Sequence, residues 1–234
     1  MTWHSAICSS VALYLLAWPL SGATVAGRVD LANAAGIPES DGSGVVVWLE
    51  PVSGHVRDTP PVNATMAHKK KTFVPHVLAV RTGSKVSFPN LDPLFHNAFS
   101  NYDGQPFDIG LHPPHSAREV VFNRPGIVRL FCNIHPTMSA VIVVLKTPFF
   151  AVTGNAGAFS IPDVPAGEYR LQVFHERCLA AALQALERQI TVESDNLALP
   201  RIAISEAGYL PPPHKNKYGK DYPPVIIDQY PGQR

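Results

Sequence analysis

Hydrophobic residues in this chain come in short runs, each broken by Gly, Pro, Asn or Asp. Val45-Val-Val-Trp48-Leu-Glu50 is rich in branched and aromatic side chains, the composition of a strand. Similar runs are Thr24 to Asp30, His76 to Val80, Lys85 to Phe88, Arg118 to Phe122, Gly126 to Phe131 and Ala140 to Leu145. Further on come Ala158 to Ile161, Gly167 to Val173, Gln189 to Val192 and Ala198 to Ile204. Only Glu176 to Glu187 carries helical spacing, on Leu179, Leu183 and Leu186. The pattern predicts an all-β protein with one short helix. Residues 64–146 hold about seven of the short strands, enough for a complete small β-sandwich. The turn Asn123 to Gly126 has hairpin length.

The 23 prolines and 16 glycines fit this strand-and-turn reading, and 46% hydrophobic residues are enough for a core. A net charge of +1 provides no long-range field for nucleic acid or an anionic membrane. Ala6 to Leu20 is apolar and is followed by Ser21-Gly22-Ala23, which reads as a signal peptide over residues 1–23 with cleavage after Ala23. The run is short for a spanning helix, so an exported, periplasmic protein without stable membrane insertion is expected. Pro51 to Asn63 reads as a linker, Lys69-Lys70-Lys71 as a solvated turn, and residues 207–234 as a Pro-rich tail.

The candidate chemistry lies in Phe131-Cys132-Asn133-Ile134-His135-Pro136-Thr137-Met138, between two apolar runs. A thiolate, an imidazole and a thioether follow one another at Cys-x-x-His-x-x-Met spacing in a predicted strand–loop–strand. His96 supplies a second imidazole. His96, Cys132, His135 and Met138 together have the ligand types of a trigonal type 1 copper centre with a weak axial thioether. With Cys8 in the signal segment, Cys132 and Cys178 remain, and in an exported protein two cysteines also fit a disulfide. That pairing leaves His135 and Met138 unexplained. Cys178 reads as a small buried residue. His112-Pro-Pro-His115 is a weak second metal pair that reads as ordinary surface, and His55, His68, His76, His175 and His214 show no partners.

Two family resemblances follow. Residues 64–146 resemble a cupredoxin of the plastocyanin and amicyanin type. The matching residues are Phe73-x-Pro75, Gly83 with Val86-x-Phe88, Asn90-x-Asp92, His96-Asn97 and Cys132-x-x-His135-x-x-Met138, the short gap before Met138 being similar to amicyanin. The resemblance implies a Greek-key β-sandwich with one type 1 copper per chain. It also implies that Asn97 ties the two ligand loops together, that Asn90 and Asp92 shape the loop, and that Pro93, Leu94, Phe95 and Pro136 form an apolar collar at the His135 edge. A transient redox partner protein would dock there. Gly27-Arg-Val29, Val45 to Pro51, and Gly157 to Phe159 with Val164 to Leu171 resemble a carboxypeptidase-regulatory, transthyretin-like sandwich. This implies a second, smaller and discontinuous domain, residues 24–60 and 147–206, into which the cupredoxin is inserted.

These readings lead to an electron-transfer protein and not an enzyme. The chain has no His-x-His pair for a trinuclear copper cluster, no second cysteine near Cys132, and no phosphate loop. A copper carrier without redox turnover and a structural sandwich with Cys132 bonded to Cys178 are the alternatives.

Overall fold

The computed structural model describes residues 22–54, 59–101, 104–210 and 213–223. The predicted signal segment, up to residue 21, and His55 lie outside the described residues. The strands, in order, are β1 (Ala23–Ala32), β2 (Val46–Pro51), β3 (Ala64–Thr65), β4 (Ala67–Lys69), β5 (Thr72–Val74), β6 (Val77–Arg81), β7 (Ser84–Pro89), β8 (Phe99–Ser100) and β9 (Phe107–Asp108). They continue with β10 (Ala117–Phe122), β11 (Gly126–Phe131), β12 (Ser139–Leu145), β13 (Phe150–Val152), β14 (Ala158–Val164), β15 (Gly167–Phe174), β16 (Arg188–Val192), β17 (Leu197–Ala198) and β18 (Ile202–Ser205). The protein is all-β, and the one described helix is α1, Ala180–Ala185. Leu183 and Leu186 of the predicted helical stripe pack on a core, whereas Leu179 stays exposed. No side chain caps the helix N-terminus, one reason it stays short.

Period-2 alternation along the strands arranges the sheets into layers. On β2, Val47 and Leu49 enter one core while Val46 and Trp48 enter another. On β12, Ala140, Ile142 and Val144 face one core, and Val141, Val143 and Leu145 face the next. A strand buried on both faces reads as an unbroken apolar run, and Ala140 to Leu145 is one. The order of layers follows from these clusters. The sheet β14-β1-β17, with β18 parallel to β1, shares a core with β13-β2-β15-β16. That second sheet packs its other face, through Val46 and Phe174, on Val77, Val141, Val143 and Leu145 of the sheet β6-β12-β11-β8-β9. This third sheet closes a separate core against β10-β7-β3.

The turn 123–126 does not close a hairpin as expected. β10 pairs with β7, whereas β11 pairs with β12 and β8, so the turn carries the chain across the sandwich from one sheet to the other. Phe122 thereby meets Val128 and Leu130 across the core instead of beside them. Loop length alone is the same in both cases.

The disulfide alternative is overturned. Cys132 and Cys178 are both free thiols, buried in different cores on opposite sides of the third sheet. Among the described residues no helix is long and apolar enough to cross a membrane.

Candidate metal centre

The site sits at one end of the core between the third and fourth layers. Cys132 directly follows β11, and Met138 directly precedes β12. The Cys132 N–H donates to the Met138 carbonyl at 3.1 Å, and the Met138 N–H to the His135 carbonyl at 3.0 Å. The loop is therefore closed by its own backbone on two paired strands. His96 arrives from the loop between β7 and β8. Its N–H donates to the His112 carbonyl, and the His112 N–H donates back at 2.9 Å. The ligand atoms of His96, Cys132 and His135 all lie within 4.8 Å of one another, and all three side chains are buried. Cys132 Sγ is 3.7 Å from His135 Nδ1. Met138 is buried in the same apolar cluster as Cys132.

The chemistry of this donor set fits a soft metal ion. His96 Nε2 bonds Asp92 Oδ2 at 2.9 Å, and a carboxylate only accepts, so the ring proton sits on Nε2. Nδ1 is left as a bare lone pair, buried and without a hydrogen-bond partner. Burial holds the His96 pKa below the ordinary imidazole value, although the Asp92 carboxylate opposes it, so the ring is neutral and ready to ligate. Asp92 is itself held in place: its oxygens accept the N–H groups of Lys70 at 2.6 Å and Lys71 at 2.8 Å. Burial raises its pKa, but these two bonds and the one from His96 outweigh that and keep the carboxyl ionised. The basic triplet thus does more than turn the chain. Lys70 and Lys71 sit at φ 56° and 55° between β4 and β5, which aims both N–H groups at Asp92.

Asn97 spans the two ligand loops. Its Oδ1 accepts the N–H of Asn133 at 3.3 Å, and its Nδ2 donates to Asp108 at 2.7 Å. Asn90 shapes the His96 loop by donating to the Leu94 carbonyl at 2.7 Å and accepting the Asp92 N–H at 3.1 Å. Of the expected collar, Pro93 and Phe95 are exposed, and Leu94 and Pro136 are half-buried.

Several contacts came from residues the sequence had left without a role. Residues 213–223 of the Pro-rich tail lie across the ligand loop, and its residues 224–234 lie outside the described residues. The His214 ring stacks on Phe131 with centroids 4.0 Å apart, and its Nε2 donates to the Pro136 carbonyl at 2.9 Å. The Lys217 N–H donates to Asn133 at 3.0 Å, and the Tyr222 hydroxyl to the Cys132 carbonyl at 3.0 Å. His112, expected at the surface, is wholly buried, while His115 is exposed, so the two do not converge. His68 is also wholly buried, its ring centroid 5.1 Å from that of His96 and 4.9 Å from that of His112. Burial and the neighbouring imidazoles lower the His68 pKa to about 3. His76 and His175 pair with Glu176 at 2.7 Å and Glu206 at 2.9 Å. None of these partners is visible in local spacing, because all but His76–Glu176 and His175–Glu206 involve aromatic stacking or backbone groups, and those two pairs are separated widely in the chain.

No protein-family model matches the chain, and no curated protein matches it. Among solved structures, part of the chain is similar to a copper-containing nitrite reductase from Thermus scotoductus, at 26% identity and a TM-score of 0.35 over 41% of this chain. The match spans only 25% of the length of that reductase. A purple cupredoxin from Nitrosopumilus maritimus matches at 21% identity and a TM-score of 0.33, over 35% of this chain and 99% of that one. A methionine-to-glutamine mutant of amicyanin in its Cu(I) form matches at 19% identity and a TM-score of 0.34, over 36% and 82%.

Proposed function

We propose that residues 64–146 form a type 1 copper domain that carries single electrons, with His96, Cys132 and His135 as the strong ligands and Met138 as the weak axial one. The observation that carries this is the convergence of two imidazoles and a thiol within 4.8 Å in a buried site, with His96 Nδ1 left unpartnered. Copper bound there would supply reversible one-electron exchange, tuned by the axial thioether. The protein's part is to hold the donors still. Asp92 fixes the His96 tautomer, Asn97 joins the two loops, and the Cys132–Met138 backbone bond closes the third side. A frame already closed in this way needs little rearrangement when the charge at its centre changes.

Electrons would enter beside His135, which is 8% exposed. Phe95 and Ile134, adjacent in sequence to the two ligand histidines, are 51% and 41% exposed. A small apolar patch of this kind suits a transient redox partner protein. The same proposal divides the chain into an inserted copper domain and a second sandwich, residues 24–60 and 147–206. Support comes from a core of its own in each unit, joined by a further apolar layer through Val46 and Phe174, and cleavage in residues 59–63 and 146–148 should release a copper-binding fragment; a fragment that binds copper only with residues 24–54 attached would refute the division. The N-terminal run is read as an export signal to the periplasm, with Thr24 the expected first residue of the mature protein. N-terminal sequencing of protein from a periplasmic extract checks this.

Addition of Cu(II) to the purified protein should give an intense blue band and a narrow copper hyperfine splitting, both lost in Cys132→Ser. Folded, reduced protein that stays colourless would overturn the type 1 reading. Rapid loss of bound copper to chelators would turn it toward copper carriage.

A further inference from the structure

Six of the eight lysines in the chain lie in two short stretches, Lys69-Lys70-Lys71 and Lys215 to Lys220, which holds Lys217 as well. The stretches are far apart in sequence, yet each is tied by backbone or ring contacts to a different ligand loop. Lys70 and Lys71 give their N–H groups to Asp92, whose carboxylate holds His96. Lys217 gives its N–H to Asn133, and His214, next to Lys215, donates to the Pro136 carbonyl. Asn133 and Pro136 stand on either side of His135 in the loop. Lys69, Lys70, Lys215 and Lys220 are exposed, and Lys71 and Lys217 are half-buried. The two ligand loops themselves expose Leu91, Phe95 and Ile134.

Charge at this end is one-sided. Against the lysines stand Asp92, buried beneath Lys70 and Lys71, Asp108, ion-paired with Lys217 at 2.8 Å, and Asp221, exposed in the tail. Six lysines against three carboxylates leave a surplus of three positive charges, while the whole chain carries +1. The remainder of the chain is therefore net negative by two, and the small total hides a polarised distribution. A field of one sign around a cleft or patch steers partners of the opposite sign.

We propose that this end docks an acidic electron-transfer protein, with apolar contact over the His135 edge and lysines on two sides meeting carboxylates of the partner. The proposal rests on the type 1 copper reading for what the contact does. An apolar centre inside a polar rim is the anatomy of a protein interface. A transient redox encounter buries little area, so charge acts chiefly on how fast and in which orientation the partners meet. An anionic membrane would attract the same lysines, at about 1 kcal/mol each near its surface, but it neither gives nor takes an electron.

Electron exchange of the copper-loaded full chain with two c-type cytochromes of matched potential, one acidic and one basic, tests this by stopped flow. At about 0.01 M ionic strength, where charges are felt over about 30 Å, the acidic cytochrome should react at least about tenfold faster. The gap should close on raising the salt to about 1 M, where the range is about 3 Å. Lys69→Glu, Lys215→Glu and Lys220→Glu combined should abolish the preference and keep the blue band, which shows that the variant has folded. Equal rates for the two cytochromes at low salt, or a preference that the folded triple variant retains, overturns the proposal. If the triple variant does not fold, the wild-type salt series decides alone, and a flat profile overturns it. Co-sedimentation with phosphatidylserine vesicles, without any cytochrome preference, would assign the lysines to a lipid surface and also overturn it. Docking is read without copper as well, from amide NMR shifts of the apo-protein on adding the acidic cytochrome. A colourless protein whose apo form still binds that cytochrome through these lysines counts against the type 1 reading only. A blue protein with no preference counts against the lysine rim only.

Discussion

Replacing Asp92 by Ala tests the idea that a backbone-held carboxylate sets the ligand geometry. Asp92 is 4% exposed and accepts three hydrogen bonds, from Lys70, Lys71 and His96, at 2.6, 2.8 and 2.9 Å. Its loss strands two backbone N–H groups and His96 Nε2 at the edge of the core. Hydrogen bonds to a charged group contribute about 1.5–3 kcal/mol each, and the three act as a unit, so the expected destabilisation is about 3–5 kcal/mol rather than their sum. That is a large part of the about 5–15 kcal/mol typical of a domain. Urea unfolding of the apo-protein reads this term. Copper affinity should fall separately, by roughly 10–100-fold, because the His96 ring is then free to turn or to take the wrong tautomer. Asp92→Asn, which keeps an acceptor oxygen, should lose less of both. Refutation would be an Asp92→Ala protein with an unfolding free energy within about 1 kcal/mol of wild type, the net worth of one ordinary hydrogen bond, and unchanged copper affinity.

Three further outcomes are expected. Lys70→Asn with Lys71→Gly should stabilise the protein by about 1 kcal/mol, since both positions hold positive φ where Asn and Gly pay less, while the N–H groups to Asp92 remain; a lower urea midpoint would count against it. Tyr222→Phe should cost about 1 kcal/mol and shift the blue band or its potential measurably, because the hydroxyl donates to the carbonyl of the thiolate residue; an unchanged spectrum, potential and stability would show that the tail merely rests there. The His76–Glu176 pair makes stability depend on pH. The hydrogen bond that His76 donates to the Glu176 carboxylate raises the His76 pKa above its unfolded value, so its contribution is full below about pH 6.5 and is lost as pH rises through the folded pKa. His76→Gln should flatten the stability profile across that window, and an unaltered profile would show that the pair contributes nothing.

Much of the metal loop could be read from the chain itself. Cys132, His135 and Met138 lie within seven residues between two strongly apolar runs, and local spacing is enough to bring a loop's donors to one end of paired strands. The all-β class was equally legible, because alternation and turn residues act over a few positions. What local pattern left open depends on which strands face each other. The turn 123–126 has the length of a hairpin, yet its strands lie in opposite sheets, and nothing within the four residues distinguishes the two outcomes. His68 and His112 were unremarkable as letters. They become a buried pair only because β4 and the loop before β10 meet over His96. The tail, too polar and Pro-rich to predict an element, is placed by Tyr222 and His214 reaching carbonyls of Cys132 and Pro136, partners about eighty to ninety residues away. The chain alone is enough to read the strands and the Cys-x-x-His-x-x-Met loop between two of them. Tertiary structure alone decided the layers, the orientation of His96 by Asp92 and the two buried imidazoles, since contacts between distant segments follow from packing and leave no periodic trace in the chain.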